Sequence, residues 1–204
     1  MKKQNVDSNS NALHGKNLRG DLALFGNIRV LAAAALLAAM SLILGKFLQI
    51  PNPFSNIFRI SLENLPIILA GVCFGPAVGG AVGIVADIVG CLLYGYTINP
   101  IVTLGAAVVG VVSGVVARYI IRKPRLLSVL LATISAHLLG SVLVKSFGLA
   151  SWYLSEYSMG LTELMLWRLG LYCVIGTVEC MLIYFLTTRR AVMRQIEKMR
   201  TRRK

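Results

Sequence analysis

The chain has 204 residues, 56% of them hydrophobic, a mean hydropathy of +0.73, and only eight acidic residues against 21 basic ones. This places it with integral membrane proteins rather than soluble domains. In a soluble protein the formal charge of +13 would point to nucleic acid; here the placement of the basic residues gives it a different cause.

Residues 1–27 are polar and mixed and read as a flexible cytoplasmic leader, with no small-residue cleavage site after a short apolar region. Apolar stretches follow at Val30–Leu44, Ile60–Phe74, Val78–Leu93, Ile101–Ile121, Leu126–Phe147 and Leu164–Leu186. Each is long enough, or nearly so, to cross a bilayer, and backbone amides in hydrocarbon must be satisfied internally. The reading is all-α: six transmembrane helices in one bundle over 28–188, then a basic amphipathic or frayed tail over 189–204. Seventeen of the 21 basic residues precede the first stretch, flank the junction of the fourth and fifth, or follow the last. Lys46, Arg59, Lys145 and Arg168 fall at the opposite ends. This asymmetry predicts cytoplasmic termini, with anionic lipid rather than nucleic acid facing the basic tail.

The first span carries alanines three and four apart, with Ala34/Ala38 and Ala35/Ala39 forming small stripes suited to close helix approach. The second is short: Ser61 is its expected N-cap and Gly75-Pro76 its stop. About 15 residues give only ~22 Å of rise. The preceding segment Gln49–Arg59, with two prolines, reads as an external loop long enough to act as a lid. The third span begins with Gly79-Gly80-Ala81-Val82-Gly83 and holds Asp87. The external turn Tyr94–Pro100 offers aromatic faces and Asn99. The fifth span holds His137 and Lys145, and a second external segment, Gly148–Thr162, carries Trp152. The sixth holds Arg168 and Glu179.

Ionisable groups in a membrane are costly and mark function unless they pair with each other. Asp87, His137 and Glu179 fit a mutual structural pairing as well as a site. Lys145 and Arg168 read as cations waiting for an anion, at the level of Glu63 and Asn64. Cys73, Cys91, Cys173 and Cys180 lack metal-ligand spacing and read as small core residues. No metal or cofactor is expected.

The run Arg59–Gly71 (Arg-Ile-Ser-Leu-Glu-Asn-Leu-Pro-Ile-Ile-Leu-Ala-Gly), followed by Phe74-Gly75-Pro76, Gly79, Gly83, Asp87 and Gly90, resembles the substrate-binding S component of energy-coupling factor (ECF) transporters. Asn99-Pro100 with Thr103–Ala107 and Gly110 fits the same pattern. His137–Ser146, with Arg168 beyond, resembles the folate (FolT-like) branch. The resemblance implies a six-helix membrane protein without catalytic activity. It would capture a vitamin outside a prokaryotic cell and dock, through the alanine motif Ala34, Ala35, Ala38 and Ala39, on a transmembrane coupling protein driven by two ATP-binding cassette ATPases. The chain has no Gly-x-x-x-x-Gly-Lys-Ser/Thr loop, so ATP hydrolysis would belong to those partners.

For a folate ligand, Tyr94, Tyr96 or Trp152 would stack on the pterin. Glu63, Asn64, Asp87 or Asn99 would bond its edge, and Lys145, Arg168 or Arg59 would take the glutamate tail. Other readings are an S component for a pyrimidine or thiamin precursor, pantothenate or a queuosine precursor, and a solitary channel or transporter. Ser135 and His137 share one helix too closely for a protease pair, and no nucleophile motif accompanies them.

Overall fold

The computed structural model describes residues 24–49, 61–120, 125–153 and 160–200, and among these every regular element is helical. The side chains of Trp152, Tyr153 and Arg200 are outside this description. So are most of the leader and nearly all of the expected lid segment with Arg59.

Helix α1 (Ile28–Phe47) starts on Asn27, whose side chain accepts the Arg29 N–H at 3.1 Å. Helix α2 (Asn64–Phe74) has only 11 residues, shorter than the expected Ile60–Phe74. Ser61 is not its cap: Glu63 holds that position, with no side-chain cap bond. The expected stop is present. Gly75 lies at φ 100°, a conformation that favours glycine, and Pro76 opens α3 (Pro76–Tyr94) at its first turn. Asn99 caps α4 (Pro100–Val115), accepting from Ile101 and Val102 at 3.0 and 3.4 Å. A wider π-type turn, Val116–Ile120, extends α4.

The fifth apolar stretch forms one rod: α5 (Arg125–Ala136), a π-type segment (His137–Val144) and α6 (Lys145–Tyr153). The chain therefore stays helical past Phe147, where an external segment was expected. Helix α7 (Leu161–Thr188) is followed across Arg189 by α8 (Arg190–Arg200), so most of the basic tail is ordered helix.

Among the described residues five stretches are long and apolar enough to span a bilayer: Ile28–Phe47, Pro76–Tyr94, Pro100–Ile120, Arg125–Ser151 and Leu161–Thr188. Helix α2 is apolar but too short to do so alone. Large side chains such as Leu36, Leu92, Leu104, Val174 and Met181 are exposed, the outward apolar face of a bundle in lipid.

Hydrophobic force between helices is weak where the solvent is itself apolar, so close backbone approach holds the centre together. A Cβ on Gly110 would sit 2.1 Å from the Gly79 carbonyl oxygen, and one on Gly79 would sit 2.5 Å from the Gly110 carbonyl. Helices α3 and α4 meet at these glycines. Around them Ile68, Val78, Val109, Val129 and Ile183 are fully buried. Helix α8 lays Val192, Met193, Ile196 and Met199 on the same core, and the Asn27 amide donates to the Met199 carbonyl.

The alanines of α1 divide between two faces. Ala38 is buried and Ala34 packs on the core, whereas Ala35 and Ala39 are exposed. Cys73 and Cys180 are buried as expected, but Cys173 is exposed.

Candidate functional site

A cavity of about 360 Å³ opens where α1, α3, α4, α6 and α7 converge with the segment before α2. Of the eight expected site residues, Glu63, Asp87, Tyr94, Asn99, Lys145 and Arg168 line it. They come from sequence positions more than a hundred residues apart, on three helices and two connecting segments.

Lys145 is buried, and its ammonium donates to Glu63 Oε1 at 3.2 Å and to Asn64 Oδ1 at 3.4 Å. Its stem fits because position 105 is glycine: a Cβ there would lie 2.6 Å from Lys145 Cγ. The ammonium holds the Glu63 carboxyl below the usual carboxylate range, against the opposing effect of burial. The Glu63 carbonyl also accepts the Ser41 hydroxyl at 2.6 Å, tying the segment before α2 to α1.

Arg168 is buried too. Its Nε donates to the Ser141 carbonyl at 3.1 Å and its Nη2 to the Tyr172 hydroxyl at 3.3 Å. The π-type segment supplies that carbonyl. The Lys145 N–H reaches back five residues to Gly140, and the return to ordinary α bonding passes over Ser141. No carboxylate lies within bridging distance of Arg168 among the described residues.

Asp87 accepts from the Thr103 hydroxyl at 2.6 Å. The Tyr94 hydroxyl donates to the Leu42 carbonyl at 2.6 Å, its ring stands edge-on to Tyr96 with centroids 6.1 Å apart, and the Lys46 ammonium lies 4.9 Å over it.

Two expected residues have other employment. Asn64 is buried behind the cavity, its amide donating to Ser141 Oγ at 3.4 Å. Asn99 reaches the cavity wall, but its oxygen caps α4 and its amide donates to the Gly148 carbonyl at 2.8 Å. Trp152 lies outside the described side chains.

Tyr172 was missed from the sequence, although it lines the cavity and stacks on His137 at 4.6 Å. Its spacing of four from Arg168 on one helix was the available signal. His137 and Glu179 form a buried pair, Nε2 to Oε2 at 2.5 Å, joining the α5–α6 rod to α7. Asp87 bonds Thr103 instead of joining them.

The arrangement offers tyrosine faces, two carboxylates and two buried cations, which suits binding an aromatic, partly anionic solute. No group of three or more potential metal ligands occurs among the described residues.

The chain is 29% identical over 91 residues to the folate transporter FolT of Clostridium novyi (strain NT), covering 41% of this chain. It thus spans half the length of that curated relative. Its fold is similar to that in the crystal structure of FolT bound with folic acid, with a TM-score of 0.63 and 24% identity, over 78% of this chain and 91% of the other. The family model described as "ECF transporter, substrate-specific component" matches residues 29–188, most of the chain. A membrane bundle with a preformed solute cavity and a match of that extent belongs to the substrate-specific components of ECF transporters, which are substrate-binding subunits of a transport system.

Proposed function

We propose that this protein captures folate at the outer face of the membrane and delivers it to an ATP-driven ECF module. The observation that carries the reading is Arg168: a buried guanidinium on the cavity wall with no carboxylate partner among the described residues. A buried charge is expensive unless it is paired. A carboxylate of the glutamate tail, bonding the rest of the guanidinium fork, would complete it. Tyr94, Tyr96 and Tyr172 then supply stacking faces for the pterin, and Glu63 or Asp87 accepts from its aminopyrimidine edge. Lys145 adds positive charge near the same ligand. The folate named for the relative and for the solved structure above supports this choice among vitamins.

The surplus of basic residues on one side supports cytoplasmic termini and an outward cavity. Residues 28–188 would form the membrane domain, between a leader over 1–27 and a basic cytoplasmic segment over 189–204. Docking on the coupling protein would use the outward row Ala32, Ala35 and Ala39, because Ala38 is committed to packing inside the bundle. ATP hydrolysis would reside in two partner ATPases.

The test is isothermal titration of the purified protein in detergent with folic acid. Tight one-to-one binding supports the reading. A folded sample that ignores folic acid but binds another vitamin removes folate. Silence across a vitamin panel favours a solitary channel.

A further inference from the structure

A second space adjoins the substrate cavity at Tyr172, which lines both. Between the α5–α6 rod and α7 runs a groove of about 1190 Å³, lined by apolar side chains such as Leu130, Ile134, Met181 and Phe185. Among the described residues no carboxylate lines it, and the formal cations among them, Arg189 and Arg190, sit together at one end. We propose that this groove holds an acyl chain of an anionic phospholipid, with the phosphate seated on Arg189 and Arg190.

Length, depth and charge support one occupant. From Leu126 to Val142 the groove follows the rod for about 24 Å, more than the ~15 Å of one leaflet's hydrocarbon. Its floor includes Thr133 and Cys180, both buried, so a chain lying in it enters the bundle instead of sliding over it. The basic end is pre-arranged. The Arg189 guanidinium lies 4.1 Å over the Phe185 ring, and both residues line the groove. Arg125, beside the lining Leu126, donates to the Thr187 carbonyl at 2.8 Å and fixes a third positive charge at that rim. Arginines at the level of the headgroups favour a phosphate over a neutral surface. The site shares no tested side chain with the folate proposal and does not depend on it.

The test is native mass spectrometry of the full chain recovered from bilayers of phosphatidylglycerol and phosphatidylcholine. One phosphatidylglycerol should be retained per protein, in preference to phosphatidylcholine. Arg189→Gln with Arg190→Gln should reduce that retention roughly tenfold. Thr177→Trp, which fills the groove from an exposed position, should abolish it. Equal retention of the two lipids overturns the proposal, as does phosphatidylglycerol retention that Thr177→Trp leaves intact; the lipid is then part of the ordinary shell.

Discussion

Arg168 donates from Nε to the backbone carbonyl of Ser141 at 3.1 Å, across 27 residues of sequence. The bond exists because the rod between α5 and α6 widens at His137–Val144 and releases that carbonyl from its own helix. The guanidinium is thereby fixed on the cavity wall by neutral hydrogen-bond partners, with no carboxylate in bridging distance among the described residues.

Arg168→Gln should therefore weaken folic acid binding far more than binding of a pterin lacking the glutamate tail. Loss of a charge-assisted bond costs ~1.5–3 kcal/mol, or about 10- to 150-fold in affinity. Titration calorimetry with both ligands checks this; equal losses would reassign Arg168 to a purely structural role.

Lys145 and Glu63 act as a pair, so their substitutions should not be additive. Lys145→Met should lower the melting temperature in detergent by leaving Glu63 and Asn64 without their cation. Adding Glu63→Gln should recover part of the loss. A double variant whose loss equals the sum of the single ones would show that the bond contributes no coupling.

The same pair gives an acid limb. The carboxyl of Glu63 is held below its ordinary range, so its contribution to stability is complete above ~4.3 and is lost as pH falls through the depressed folded value. The melting-temperature gap between the unsubstituted protein and Glu63→Gln should be full at neutral pH and should close in acid. A gap independent of pH would mean that the carboxylate charge is not what Lys145 stabilises.

The two alanine faces should separate by experiment. Ala35→Trp, on the exposed face, should abolish ATP-driven uptake while folic acid binding in detergent persists. Ala38→Trp, at a buried site, should lower thermal stability and binding together. Unimpaired uptake in the Ala35 variant would remove this face from docking.

At the centre, Gly110→Leu should prevent recovery of a monodisperse protein, since its Cβ alone would overlap the Gly79 carbonyl. Gly26→Ala, with open space around it, should be neutral by the same size-exclusion assay.

The sequence by itself determined where the chain is apolar, how its charge is distributed, and where several helices start and stop. Those properties are local. Transfer free energy is carried by each side chain, Gly75 and Pro76 break the backbone where they stand, and Asn99 caps the turn that follows it. The cost of charge in hydrocarbon also made Glu63, Asp87, Lys145 and Arg168 legible as candidates.

Only the tertiary structure decided how each helix is rotated and which polar groups find one another. Near-uniform apolarity around α1 gives no sign that Ala38 turns inward while Ala35 turns out. Nothing local says that Asn64 backs Lys145, that Glu179 takes His137 and leaves Asp87 to Thr103, or that Tyr172 reaches the cavity. These outcomes depend on close backbone contacts between distant segments, such as Gly79 with Gly110 and Gly105 with Lys145, which fix helix rotation through shape rather than through hydrophobicity.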